Sequence, residues 1–222
     1  SLRADGRLLP GRNFVNEGHP YALSTHGSKV LSTMAANVPG VLVGTAPGAA
    51  YVCVKTEDTR TEYRIEECNW VAGLEYADSL GADVINSSLG YTTFDDKGMN
   101  YVYDHLDGQN SVAPDGRTKP DVVAPGAWVA TADAYSFRVG PSSGTSFASP
   151  ILAGLAACLW EAFPEKSNLE IMDAIRQSGS TADSPGPEIG YGLPNFGKAY
   201  RLLGDPVAAP AAKPLSSPKP ER

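Results

Sequence analysis

Apolar positions fall along this chain in short runs of two alternating kinds. In "VLVGTAPGAAYVCVKTED" two apolar runs, 41–43 and 51–54, are split by a Pro-Gly loop, and the second, rich in β-branched residues, predicts a buried strand. In "TEYRIEECNWVAGLEYADSL", Ile65, Cys68, Val71, Leu74 and Ala77 recur at every third position, predicting a helix with that stripe inward and glutamates on the other side. "ADVINSSLG" at 82–90 predicts a strand ending in small polar residues. A helix between two strands is the βαβ unit of a parallel sheet, with a right-handed crossover.

Downstream, "KPDVVAPGAWVATA" predicts a strand pair broken by Pro-Gly, and "AYSFRVGPSSG" a strand running into a loop. The run "ILAGLAACLW" after Pro150 lacks a polar face, which predicts a helix in the middle of a domain. "NLEIMDAIRQSG" predicts a short amphipathic helix with Asn168 as N-cap and Gly179 as its stop. From 205 onward, "DPVAAPAAKPLSSPKPER" holds five prolines in eighteen residues and nothing to bury. The organisation read from this is one domain over 1–204 and a Pro/Ala-rich linker or disordered tail over 205–222. No internal repeat is visible.

Composition narrows the function classes. The 222 residues suffice for one domain with a sizeable core. A net charge of -7 argues against a nucleic-acid partner. Nothing approaches the roughly 18 consecutive apolar residues of a membrane span. The chain opens on Ser1 with neither a methionine nor a signal peptide, so the expectation is a processed, trimmed or partial chain. Cys53, Cys68 and Cys158 lack metal or disulfide-framework spacing; buried free thiols are expected, with a Cys53–Cys68 bridge the alternative.

"GTSFASP" at 144–150 puts Ser146 at the mouth of the most apolar segment. A helix N-terminus offers unpaired N–H groups and partial positive charge, and a serine there can aim its own N–H at an oxyanion on its acylated carbonyl. Gly144 would let a substrate backbone approach. The alternative is an ordinary N-cap serine. A nucleophile needs a base, and the histidines are His19, His26 and His105. His26, in "STHGSKVLSTMAA", opens a predicted helix beside a loop, where an imidazole can be held at a cleft; a surface histidine is the alternative. Every histidine precedes Ser146, and Ala148 stands where a hydrolase elbow needs glycine. The order Asp, His, Ser on an α/β sheet fits the last two members.

Together the motifs resemble the subtilisin-like serine peptidases, most nearly bacterial ones. They are "STHGSKVLSTMAA", "GTAPGA" (44–49), "ADVINSSLG", "KPDVVAPG" (119–126), "SSGTSFASP" (142–150) and "GYGLPNFGKA" (190–199), in the family's order. The resemblance implies a three-layer α/β sandwich with a mostly parallel central sheet. It implies Ser146 as nucleophile and His26 as general base. Ser88, Leu89 and Gly90 would pair with an extended peptide or protein substrate by strand addition, with Ser143 and Gly144 across the specificity pocket. It further implies secretion or surface display and no required cofactor. Structural calcium is common in the family; "TTFDDKG" (92–98) is the best candidate here, with a solvated acidic turn the alternative. The expected state is a monomer that the tail could tether to a further C-terminal domain.

Two parts of the family pattern are missing. Only Asp5 precedes His26, in "LRADGRLLPG" with no apolar strand before it, so the chain is expected to begin after the aspartate-bearing strand. Between "YVYDHLDGQNSVA" and "PDGRTKPD" the family has a helix, a central strand and an Asn-Gly turn that supplies the second oxyanion donor. Asn110 is the only nearby asparagine, and no strand leads into it. One or more strands of the sheet are therefore expected to be absent. A non-catalytic scaffold that binds peptides along "SSLG" is the competing reading.

Overall fold

The computed structural model describes residues 2–19, 25–100, 119–136 and 138–204. Among these the elements run β1 (Arg12–Asn13), α1 (Thr25–Ala35), β2 (Asn37–Val38), β3 (Leu42–Val43), β4 (Val54–Lys55), α2 (Ile65–Ser79), β5 (Val129–Ala132), β6 (Val139–Ser142), α3 (Thr145–Ala162), α4 (Asn168–Gln177) and α5 (Phe196–Leu203). The tail over 205–222, with the domain boundary placed there, lies outside the described residues.

β1 pairs parallel with β4 in the register Arg12↔Val54, and a parallel bridge joins Leu8 to Tyr51. The N-terminal run that looked like turn and loop is thus a partner of the predicted 51–54 strand. The other ladders are antiparallel, β2 with β3 and β5 with β6. Among the described residues the mostly parallel sheet is present as this one ladder. Segments 82–90 and 119–126, both expected as strands, run without ladder partners. A strand exists by virtue of its neighbour, and among the described residues neither segment has one; the interval expected to lack the central strand, 101–118, lies outside them.

α2 forms where the periodicity predicts it, but presents a different face. It buries Glu66, Gly73 and Ala77, while Ile65, Cys68 and Val71 are exposed. A stripe spaced by three throughout drifts about 60° per step around a helix with 3.6 residues per turn, so it cannot stay on one face. Gly73 sits against β4; a Cβ there would lie 2.9 Å from the Thr56 methyl. The cysteines are free: Cys53 is half-buried, with burial pushing its thiol up to about 11, and Cys68 and Cys158 are exposed rather than buried.

Two glycines set the packing around α3. The loop after β3 returns along α1, with the Gly44, Thr45 and Ala46 amides donating to the carbonyls of Ala36, Thr33 and Met34. α3 then meets that loop at Gly154, where a Cβ would lie 2.0 Å from Thr45 Oγ1 and 3.0 Å from its Cβ. α3 buries Phe147, Pro150, Gly154 and Leu159, but Cys158 is exposed, so the all-round apolar helix is covered on part of its surface only. Leu159 continues into the core of Phe163, Ile171, Ala174, Ile175 and Ala199. α4 is capped one residue earlier than expected: Ser167 accepts from the Glu170 amide while the Glu170 carboxylate accepts from the Ser167 amide. The S-x-x-E of "SNLE" is that signature. Among the described residues no helix is long and apolar enough to cross a membrane.

Asp121 ties the "KPDVVAPG" segment to α4, accepting from Arg176 at 2.7 Å and from Lys119. Burial alone would raise its carboxyl; the Lys119 and Arg176 hydrogen bonds outweigh this and hold it below the usual value.

Two outcomes follow. Gly154→Ala should destabilise the protein by about 1–3 kcal/mol in urea unfolding through overpacking. That is opposite in sign to the gain of up to about 1 kcal/mol usual for Gly→Ala in a helix; an unchanged or raised midpoint would refute the contact. The contribution of Asp121 is present above its unfolded pKa and lost as pH falls through the lower folded value. Wild-type stability should therefore decline more steeply below about pH 4 than that of Asp121→Asn, and parallel pH profiles would refute the pairing.

Candidate active site

The N-cap of α3 is Gly144, with φ 149°, and no side-chain hydrogen bond caps the helix. A left-handed φ suits glycine. The Gly144 amide donates to the Gly126 carbonyl at 2.7 Å, and a Cβ on Gly126 would lie 2.8 Å from the Gly144 carbonyl oxygen. Two loops therefore meet backbone to backbone at the helix mouth, and Ser143 Oγ accepts from the Trp128 amide at 3.0 Å. Ser146 is the second helical residue and is half-buried. It is not the capping residue, and among the described residues its hydroxyl has no hydrogen-bond partner.

Pro150 stands inside α3, four residues after Ser146. Having no N–H, it cannot donate to the Ser146 carbonyl, which loses its helical partner. The Ser88 hydroxyl takes that place, donating to the Ser146 carbonyl at 2.9 Å. Asn86 donates to Ser88 Oγ at 3.1 Å, and Ser149 donates to Asn86 Oδ1 at 2.8 Å. The small polar end of "ADVINSSLG" is thereby bonded to the first turn of α3, while Trp70 of α2 donates to Ser87 at 2.8 Å from the other side. Asn86, Ser149 and Pro150 were not singled out from the sequence. The signal was a proline four residues after a serine that a neighbouring strand had to serve.

His26 lies on the first turn of α1 and is exposed. Its ring meets Phe147 edge-on, with centroids 6.0 Å apart. The two helices thus bring His26 beside the residue that follows Ser146. Among the described residues no carboxylate hydrogen-bonds to His26. Asp5 pairs with Arg7 at 3.5 Å. His105 and Asn110 lie outside the described residues.

A profile of the subtilase family matches residues 100–193. The chain is 30% identical over 234 aligned positions to a thermophilic serine proteinase of Bacillus sp. (strain AK1), covering 86% of this chain and 56% of that one. It is 29% identical to subtilisin of Bacillus pumilus, covering 86% of this chain and 83% of that one. The chain is similar to subtilases over most of its length. It spans little more than half the length of the first of these relatives. Among solved structures, fervidolysin from Fervidobacterium pennivorans, a keratinolytic enzyme related to subtilisin, superposes with a TM-score of 0.65 at 17% identity, over 89% of this chain and 40% of that one. The described part of the chain is an incomplete α/β fold of the subtilisin type.

Leu89 and Gly90 are exposed beyond the Ser88 clamp. Gly90 borders a cavity of about 390 Å³ lined also by Glu62, Thr92, Thr93, Phe94 and Asp95. In the 92–98 turn, Asp95 Oδ2 accepts from the Glu62 amide at 3.2 Å and the Asp96 carboxylate caps a short 3-10 turn. The sequence reading missed Glu66, placed on the polar face of α2 but only 2% exposed. Burial, then neighbouring carboxylates, raises the carboxyls of Glu62 and Glu66. Tyr91, which follows the 88–90 segment, bonds to the Glu57 carboxylate, and burial followed by that bond pushes its hydroxyl up.

Ser88→Ala leaves the Ser146 carbonyl without a donor and should cost about 1–3 kcal/mol. In a Pro150→Ala background the restored helical N–H can serve that carbonyl. The same substitution should then cost less by roughly 1 kcal/mol in a double-mutant cycle of urea midpoints. Equal costs in the two backgrounds would sink the account.

Proposed function

We propose that the chain carries the nucleophile and general base of a subtilisin-type serine endopeptidase. Ser146 Oγ attacks the scissile carbonyl carbon as His26 takes its proton. The C–N bond breaks as the leaving amine takes that proton, and water then hydrolyses the Ser146 ester. The observation that carries this reading is the juxtaposition at the two helix starts. Ser146 has an unengaged hydroxyl at the α3 N-terminus, and His26 packs on the adjacent Phe147. Hydrogen bonds of a catalytic pair are often long before substrate binds.

An extended peptide or protein would lie along Leu89 and Gly90, positioned by Ser88, with Ser143 and Gly144 across the pocket. The chemistry draws on no cofactor. Export from the cell and a monomeric state, with the tail as a tether, complete the proposal, in line with the bacterial relatives. Among the described residues no carboxylate orients the imidazole, and a site lacking one should turn over about four orders of magnitude more slowly than a complete triad.

The test is covalent labelling of the 222-residue chain by a fluorophosphonate, followed by intact mass. Labelling should be slow, absent in Ser146→Ala, and reduced by about 10²–10⁴-fold in His26→Ala. A folded wild-type chain that takes no label would overturn the reading and leave a peptide-binding scaffold.

A further inference from the structure

One oxygen from each of Glu57, Glu62 and Glu66 lies within 4.8 Å of the other two. The three come from separate places: the chain just after β4, the loop before α2, and the first turn of α2. An acidic cluster on a surface means little, because water and salt screen it. This one has a buried member. Glu66 is 2% exposed; its Oε1 accepts the Asp58 amide at 2.8 Å, whereas its Oε2 is enclosed and has no hydrogen-bond partner among the described residues.

A buried carboxylate oxygen needs a donor or a cation. The neighbouring groups supply neither to Oε2. The Tyr91 hydroxyl is directed to Glu57 Oε1 and, at 3.3 Å, to the Glu66 backbone carbonyl. Arg60 forks onto Asp58 at 2.8 and 2.7 Å. Arg64 donates to the Met99 carbonyl at 3.1 Å.

We infer that Glu57, Glu62 and Glu66 form a binding site for a divalent cation of the calcium type. The donors are all hard carboxylate oxygens, which suit calcium and exclude a zinc-like nitrogen or sulfur set. Calcium holds its oxygens at about 2.3–2.6 Å, so oxygens on opposite sides of one ion stand up to about 5 Å apart. The observed set fits inside that span. Magnesium demands near-octahedral geometry and dehydrates reluctantly, whereas calcium accepts the irregular set that carboxylates from three separate segments present. Three carboxylates supply three to six of the ligands, and water can complete the shell. The ion would tie the end of β4 to the start of α2 and, through Tyr91, to the segment carrying Leu89 and Gly90. The site is independent of the chemistry at Ser146.

The test uses the 222-residue chain stripped of metal by a chelator and dialysed against calcium chloride, with bound calcium counted directly. Wild type should hold one calcium per chain. Glu66→Gln and Glu57→Gln should each weaken binding by about tenfold or more, and Asp96→Asn, outside the cluster, should not. A calcium-dependent rise in Tm should be lost in the same two variants. Glu57 is only partly buried, so its variant keeps the test readable if Glu66→Gln fails to fold. No calcium bound at about 1 mM, the weak end of calcium sites in extracellular modules, overturns the inference, as does binding that both glutamine variants retain. Retention of a lysine- or arginine-containing peptide that calcium does not compete for, lost in Glu62→Gln, also overturns it and assigns the carboxylates to a cationic side chain.

Discussion

The arrangement depends on how closely α3 approaches the loop at 44–46. Gly154 has no Cβ, so the helix backbone comes within contact of Thr45. That loop is in turn laced to the end of α1 by the Thr33, Met34 and Ala36 carbonyls. Two helices remote in sequence are thereby held at a fixed separation, with the Thr45 side chain and the Ala46 amide against the bare Gly154. His26 on the first turn of one and Ser146 on the first turn of the other inherit that separation. The α4–α5 core bears on the opposite end of α3 through Leu159 and Phe163. Burial anchors the helix at that end, and the open mouth keeps its polar groups.

Pro150 supplies a second constraint of a different kind. A proline in a helix interior ordinarily costs about 3 kcal/mol through a lost hydrogen bond and a ring clash. Here the carbonyl it orphans belongs to Ser146, and Ser88 serves it from another segment. The defect becomes a cross-link between the candidate nucleophile and the candidate substrate edge. The relay from Ser149 through Asn86 to Ser88 keeps this link polar and short. A segment without ladder partners is held in place by side chains, which is how 86–88 keeps its position although the sheet around it is incomplete.

Local signals were the legible part of the sequence. Helices α2, α3 and α4 and strands β5 and β6 follow from periodicity, caps and glycines, whereas the pairing of His26 with the mouth of the apolar helix rests on the order of histidine and serine along the chain and on the resemblance to subtilisin-like peptidases. Non-local events were not legible. The parallel partner of β4 was hidden in "RLLPGRN", because Pro10 and Gly11 read as loop and the ladder is only two residues long. The inward face of α2 was misjudged because a three-residue stripe circles the helix. The buried Glu66 followed from that error, since a glutamate beside Ile65 looks solvated until the packing direction is known. The expected strands at 82–90 and 119–126 have no ladder neighbour among the described residues, and pairing is a non-local event that a local pattern does not show.

The orientation of His26 decides how much chemistry the incomplete site can carry. An edge-on aromatic contact contributes about 0.5–1.5 kcal/mol beyond burial and fixes the tilt of a ring. It cannot select which imidazole nitrogen carries the proton. A carboxylate does that, because a hydrogen bond to a charged group contributes about 1.5–3 kcal/mol and accepts from one nitrogen only. Phe147 therefore holds the imidazole near Ser146 while both tautomers and a ring flip stay accessible. Position comes from Gly154 and Phe147, which the chain has. Tautomer and imidazolium stabilisation come from a carboxylate that no described residue supplies to His26. The two contributions are physically separable, and this chain retains the first.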